Sequence, residues 1–143
     1  MSSKEGKVTG IGGVFFKCEN PEQQREWYEQ QLGMRTDQYG TTFQWRRYDQ
    51  PEQIGHTVWS PFKNDTTYFE PSTKPFMLNF RVENLDALLS RLQQQGINII
   101  GEVLAFEYGR FAHIMDPEGN KIELWEPVDK VFQSILNPEG ITK

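Results

Sequence analysis

The sequence predicts an α+β fold made of two modules that share the element order β-α-β-β-β. This order occurs once in each half of the chain. When the first half is shifted onto the second, Phe16 aligns with Phe80 and Asn20 with Asn84. The length of 143 residues suits one domain or two small modules around a shared core. Neither half alone is large enough to be comfortably stable, so we expect the two modules to pair, either within the chain or with a second chain.

The first module is expected at residues 8–62, after an N-terminal tail at residues 1–7. Its first strand is rich in β-branched and aromatic residues, which is typical of a buried strand. Asn20 suits the N-cap of the following helix, Pro21 its first position and Gly33 its end. The four predicted strands are Val8–Cys18, Met34–Tyr39, Thr41–Tyr48 and His56–Pro61.

The second module is expected at residues 76–127, after a polar linker at residues 63–75. Asn84 is placed to cap a helix with leucines at helical spacing, and Gly96 is placed to end it. The residues at 116–120 predict a tight hairpin turn between the last two strands. The predicted strands are Phe76–Val82, Ile97–Val103, Gly109–Met115 and Lys121–Glu126, and the tail at 128–143 carries a short helix over Asp129–Asn137.

The charge and composition argue against several classes of partner. The net charge is −5, and no segment concentrates Lys and Arg, so we expect neither a nucleic-acid nor a membrane partner. The chain has no apolar run of about 18 residues and no apolar signal core at its N-terminus, which predicts a cytoplasmic location. Cys18 is the single cysteine and therefore excludes an intramolecular disulfide.

Three motifs carry a resemblance to a known family. They are the Trp27-Tyr28 and Leu32-Gly33 pairs, the segment Phe80–Asp86 and the segment Asp116–Leu124. With the doubled element order, they resemble the vicinal oxygen chelate superfamily, which includes glyoxalase I, bleomycin resistance proteins and extradiol dioxygenases. The resemblance implies curved mixed sheets around a cup, a small-molecule ligand and a homodimer.

The resemblance also implies four metal-ligand positions. They fall on Gly13, Trp59, Met77 and Glu123, and of these only Glu123 carries a side chain that suits a catalytic divalent cation. Such a site normally needs at least three oxygen or nitrogen ligands. We therefore expect no cofactor, with a divalent metal ion on Glu123 as the alternative.

Strand alternation sorts the side chains between the cup and the helix layer. The favoured register of the last hairpin sets His113 opposite Glu123, either as a general acid–base pair or as a structural cross-strand hydrogen bond. By the same alternation, His56 is expected on the helix side. The residues expected to contact a ligand are Phe15, Trp59, Met77, Asn79, Arg81, Arg110, Phe111 and Trp125.

Three functions follow as hypotheses. The preferred one is a protein that binds a small aromatic or amphipathic molecule in a metal-free cup. The alternative is a lyase or isomerase of the glyoxalase I type (lactoylglutathione lyase-like) that uses Glu123 and His113, with or without a divalent metal. The third is a protein-interaction module whose apolar tail helix binds a partner.

Overall fold

The computed structural model describes residues 5–143, so residues 1–4 of the expected N-terminal tail lie outside the described part. One mixed sheet contains eight strands in the order β5-β6-β7-β4-β1-β3-β2-β8. The strands are β1 (Lys7–Cys18), β2 (Thr41–Arg46), β3 (Ile54–Lys63), β4 (Phe76–Glu83), β5 (Leu104–Phe106), β6 (Gly109–Met115), β7 (Lys121–Pro127) and β8 (Ile141–Thr142). The helices are α1 (Pro21–Leu32), α2 (Leu85–Gln94) and α3 (Asp129–Ile135), with a short 3-10 turn at Pro138–Gly140.

The strand pairing shows the internal repeat. Strand β1 runs parallel to β3, and β4 runs parallel to β7 in the same way. The two halves join through β1 and β4, which pair antiparallel from Lys7 opposite Glu83 to Phe16 opposite Phe76. The two halves, β1-α1-β2-β3 and β4-α2-β5-β6-β7, therefore pair within one chain and form the α+β architecture that the sequence predicts. The exact module boundaries stay a prediction.

Local capping explains where the helices begin and end. The Asn20 side chain accepts a hydrogen bond from the Gln23 amide at 3.0 Å, and Asn84 accepts one from the Ala87 amide at 3.3 Å. Gly33 follows α1 with φ of 71°, a left-handed conformation in which a side chain would be strained. The two predicted N-caps and this C-cap are confirmed.

Two predicted strands are wrong. Residues 34–39 form no strand beyond an isolated bridge between Asp37 and Gly40, and residues 97–103 form none. In the first segment, the backbone amide and the hydroxyl of Thr36 both donate to Glu29 on α1 at 2.8 Å, which holds this stretch against the helix. In the second, Ile100 donates to the His113 carbonyl at 2.8 Å, while the short strand β5 takes the edge beside β6.

The two faces of the sheet are covered differently. Outside, α2 packs an apolar cluster onto β4, β6 and β7, and this cluster holds the buried residues Val82, Leu85, Leu88, Leu89, Ala112 and Leu124. Inside, the concave face is covered by the loop after β3 and by α3, which contribute the aromatic side chains of Tyr68 and Phe132. Within residues 5–143, no helix is long and apolar enough to cross a membrane.

Candidate functional site

The last hairpin brings the predicted acid–base pair together. In β6 and β7, His113 lies opposite Glu123, Phe111 opposite Trp125 and Ala112 opposite Leu124. The predicted register of this hairpin is therefore confirmed. Because β7 also runs parallel to β4 with Asn79 beside Glu123, three polar side chains meet on the concave face.

Both oxygens of the Glu123 carboxylate are used inside the protein. The Nδ2 of Asn79 donates to Oε1 at 2.7 Å, and the Nε2 of His113 lies 2.7 Å from Oε2. The phenol of Tyr68 also donates to Oε2. Only 2% of Glu123 is exposed, so these three partners replace the water that a buried carboxylate needs.

Tyr68 comes from the loop after β3 and is locked in place from several sides. The Lys121 ammonium donates to the Tyr68 carbonyl at 2.7 Å and lies 5.3 Å from the centre of its ring. The ring stacks on Phe62 at 6.0 Å. Burial raises the pKa of the Tyr68 phenol, and the negative charge of Glu123 raises it further, so the phenol keeps its proton and donates a hydrogen bond to the carboxylate.

A second buried cluster surrounds the carboxylate of Asp129, the first residue of α3. The Arg81 guanidinium donates to both of its oxygens, at 2.9 and 2.6 Å, and the Nδ1 of His56 lies 3.1 Å from Oδ1. Burial raises the pKa of Asp129, but the hydrogen bonds from His56 and Arg81 and their charges outweigh it and lower the pKa overall.

Two of the predicted site residues face away from the cup. On β3, the side chains of Val58 and Ser60 point to the concave face, so that of Trp59 between them points to the opposite face, where its partner on β1 is Val14. There the Trp59 ring packs against that of Tyr28 on α1, with 4.5 Å between the ring centres. Arg110 shares the strand face of Ala112, so it points to the helix side and pairs with Asp86 at 2.9 Å. Their expected places in the cup are corrected accordingly.

His56 also lies on the opposite face of β3 from the one that the sequence predicts. It was expected on the helix side, but it alternates with Val58 and Ser60 and therefore faces the cup, where it is fully buried. Its ring packs edge-on against Phe132 of α3 at 5.1 Å. The packing of Trp59 against Tyr28 of α1 determines which face of β3 points to the cup.

The remaining predicted ligand contacts do lie on the concave face. Met77 pairs with Phe15 across β4 and β1, and Asn79 and Arg81 follow on the same face. Trp125 stacks on Phe111 at 5.7 Å and packs against Phe132 at 5.0 Å. These side chains form the floor of the cup, beneath the loop after β3 and beneath α3.

Sequence reasoning missed four residues that shape this site, namely Tyr68, Tyr108, Asp129 and Phe132. Tyr68 lies in a polar loop, Tyr108 lies in the turn between β5 and β6, and Asp129 and Phe132 lie in the tail after β7. The one usable signal was the apolar side of the predicted tail helix, which includes Phe132. That signal predicts that one face of the helix is buried, but it does not identify the surface against which the helix packs.

An open cleft remains between α3 and the strands β2 and β3. Its volume is about 800 Å³. Val58, Phe132, Ile135 and Leu136 give it apolar walls, and Tyr39, Thr42 and Tyr108 add hydroxyl groups. Burial and, second, the negative charge of Glu123 raise the pKa of the Tyr108 phenol.

The donor set does not fit a divalent metal ion. Both Glu123 oxygens accept internal hydrogen bonds, and the structurally equivalent residue of the first module is Ser60, whose hydroxyl donates to the Tyr39 carbonyl. Within residues 5–143, no three His, Cys, Asp or Glu side chains form a group that could hold a metal. We therefore assign no step to a metal.

Comparisons with known proteins agree with this architecture. The model of the glyoxalase/bleomycin resistance protein/dioxygenase superfamily matches residues 10–124. Methylmalonyl-CoA epimerase from Mycobacterium tuberculosis is 22% identical with a TM-score of 0.59, over 93% of this chain and 97% of that chain. A search of curated proteins finds no match.

Two further solved structures share the fold. A variant of the Streptomyces coelicolor methylmalonyl-CoA epimerase in complex with 2-nitronate-propionyl-CoA is 13% identical with a TM-score of 0.63, over 85% of this chain and 99% of that chain. The Mn(II)-bound glyoxalase from Novosphingobium aromaticivorans is 14% identical with a TM-score of 0.54, over 85% of this chain and 40% of that chain. At these identities, the likeness concerns the fold alone.

Proposed function

Because the chain belongs to the glyoxalase/bleomycin resistance protein/dioxygenase superfamily, we propose that it binds a small aromatic or amphipathic molecule without a metal. The observation that carries this proposal is the cleft of about 800 Å³ between α3 and strands β2 and β3. The cleft combines apolar walls with polar groups, among them the carboxylates of Asp37 and Glu139, and a cleft of this size with a mixed lining is typical of small-molecule sites. Here Val58 and Phe132 would contact the apolar part of the ligand, and Thr42 and Tyr108 its polar part.

Of the predicted contacts, we now assign Phe15, Met77, Asn79, Phe111 and Trp125 to the floor that supports the site. They lie under the loop after β3 and under α3, and none of them lines the cleft itself. Arg81 has a separate role, which is argued below. Trp59 and Arg110 are not proposed as ligand contacts, because both point to the helix side.

A binding assay with a neutral aromatic probe tests this proposal. N-phenyl-1-naphthylamine should show a saturable fluorescence increase with the full chain, and Val58→Trp should weaken binding by at least about tenfold, since the indole fills the cleft. Val103→Trp is the matched control, because Val103 is exposed and does not line the cleft. Equal binding by both variants, or no saturable binding of any compound in an aromatic library, would contradict the proposal.

A second candidate function is a lyase or isomerase of the glyoxalase I type with Glu123 and His113 as the catalytic pair. The observation that favours it is the shared Oε2 of Glu123, which joins the His113 imidazole and the Tyr68 phenol in one network. Such a network can move a proton between a substrate and the protein. Because Tyr68 covers the pair, a substrate would first have to displace the loop, and this ranks the enzyme second.

We also propose a homodimer in the cytoplasm. Three apolar side chains of β1, Val8, Ile11 and Val14, are exposed on the outer face of the sheet, where each lies opposite a β4 residue on that same face. This apolar strip lies at the centre of the sheet, between the two halves. A contiguous exposed apolar strip is typical of an interface between subunits.

A further inference from the structure

We propose that Arg81 and His56 form a carboxylate-binding seat, which Asp129 of the same chain occupies, and that the ligand is an amphipathic carboxylic acid whose carboxylate replaces that of Asp129. The inference rests on the proposed function, because it names the chemical class of the ligand for the same cleft. In the absence of a ligand, the carboxylate of Asp129 occupies the position that the ligand carboxylate would take.

The seat has the geometry by which proteins recognise carboxylates. The two terminal nitrogens of Arg81 donate to the two oxygens of Asp129 at 2.9 and 2.6 Å, which is the bidentate arrangement of a guanidinium and a carboxylate. His56 adds a third contact at 3.1 Å, and because a carboxylate has no proton, the Nδ1 of the imidazole donates.

The sheet builds this seat and holds it rigid. Arg81 on β4 is 3% exposed, and His56 on β3 is fully buried. The guanidinium lies between two indole rings, 5.1 Å from the centre of Trp45 and 5.6 Å from that of Trp125, so aromatic faces fix its orientation. A buried cation held in this way requires an anionic partner.

The present occupant comes from a more exposed part of the molecule. Asp129 begins α3, a helix of seven residues of which none is buried, and its side chain is 31% exposed. It also satisfies the seat incompletely, because the Nε2 of His56 is buried and has no hydrogen-bond partner among the described residues. Because Arg81 and His56 are buried in the sheet and the side chain of Asp129 is partly exposed, a free carboxylate could replace Asp129 without rearranging the residues that bind it.

The body of the ligand would lie in the cleft described above. His56 and Val58 alternate on the same face of β3, and Val58 lines the cleft. Phe132 packs against the His56 ring at 5.1 Å and lines the cleft as well. The seat therefore adjoins the wall of the cleft that Val58 and Phe132 form, and once Asp129 leaves it, an acid in the cleft would reach Arg81 with its head and Ile135 with its tail.

A pair of probes that differ only in charge tests the proposal by isothermal titration calorimetry on the full chain. The acid is 4-phenylbutyrate, and its neutral match is 4-phenylbutyramide. Asp129→Ala vacates the seat, so it should bind the acid about tenfold more tightly than the wild type, because an internal competitor is removed. The amide should bind both proteins alike. Asp65→Ala is the matched control, because Asp65 is exposed and touches neither Arg81 nor His56.

The double variant Arg81→Gln/Asp129→Ala separates the seat from the cleft while it removes both buried charges together. It should bind the acid no better than the amide, with an unchanged circular dichroism spectrum. If the acid gains nothing in Asp129→Ala while both probes bind in a Val58-dependent manner, the seat is overturned and the proposed function stands. If neither probe binds any of these proteins, both proposals are overturned.

Discussion

The phenol of Tyr68 donates a hydrogen bond to the same Glu123 oxygen that the His113 imidazole contacts. This contact ties the loop after β3 to the last strand of the sheet, and it closes one end of the cup with the chain's own side chain. The other end is closed by Asp129 and Phe132 of α3. Two segments outside the repeated modules therefore cover the polar residues of this cup.

Removal of the phenol oxygen should loosen the loop without changing its shape. In Tyr68→Phe, the Glu123 carboxylate keeps two partners and loses the third, so we expect the free energy of unfolding to fall by about 1 kcal/mol, a value reduced for the partial exposure of the ring. Urea denaturation followed by circular dichroism measures this change. Tyr48→Phe is the control, since Tyr48 is fully exposed. Equal stability of the two variants would show that the hydrogen bond contributes nothing.

The packing of Asn79 leaves no room on the neighbouring strand. A Cβ atom at Gly12 would lie 2.1 Å from the Oδ1 of Asn79, whereas one at Gly10 would meet only Trp45 at 3.8 Å. We expect Gly12→Ala to lower the free energy of unfolding by about 2 kcal/mol, because Asn79 must move away from Glu123. Gly10→Ala should change it by less than about 1 kcal/mol. Similar urea midpoints for the two variants would mean that Asn79 is free to shift.

The parts of the site that alternate along regular strands could be predicted from the sequence. The turn at residues 116–120 and the apolar alternation of β6 and β7 define one register, and that register places His113 opposite Glu123. The same alternation correctly separates Phe15 from Phe16 on β1. In these strands, the alternation of apolar and polar residues in the sequence matches the alternation of the two faces of the sheet.

The segments that cover the site could not be predicted in this way. Tyr68 meets Glu123 across 55 positions of sequence, and Asp129 meets His56 across 73. Neither residue belongs to a periodic pattern, so only the folded sheet determines what it contacts. Trp59 shows a related difficulty, because an aromatic residue suits both a cup wall and the space under α1, and local pattern does not decide between them.

The donor set leads to a prediction about metal content. Protein purified without a tag and without chelator should contain no stoichiometric transition metal, because Asn79, His113 and Tyr68 already occupy the Glu123 oxygens. Elemental mass spectrometry measures this directly, and EDTA should leave the melting temperature unchanged. One metal ion per chain that disappears in Glu123→Gln would contradict the prediction and favour the enzyme hypothesis.

The exposed strip on β1 leads to a prediction about assembly. Light scattering at micromolar concentration should give twice the chain mass of 16.7 kDa. Val14→Glu should reduce the mass to that of one chain, because it places a charge in the apolar interface. Val103→Glu carries the same change on an exposed valine outside β1 and should remain dimeric. A wild-type protein of single-chain mass would rule the dimer out.

The ion pairs of Asp129 make stability depend on acid pH in a defined direction. The pKa of Asp129 is lower in the folded chain than its ordinary value, so its contribution to stability is present above about pH 4 and is lost as the pH falls through the folded pKa. Asp129→Asn lacks this titrating group and leaves Arg81 without its anionic partner. The variant should therefore be less stable than the wild type at neutral pH, and the difference should shrink as the pH falls.

Urea denaturation of both proteins between about pH 7 and pH 2 measures the difference between their free energies of unfolding. Because only the wild type loses the contribution of Asp129 in acid, this difference should be smaller at low pH. Asp65→Asn serves as the control for the loss of one exposed carboxylate. A gap of constant size across the range would mean that Asp129 titrates alike in the folded and unfolded chains. The bidentate contact with Arg81 would then not favour the ionised carboxylate, and its role as the occupant of a carboxylate seat would lose its electrostatic basis.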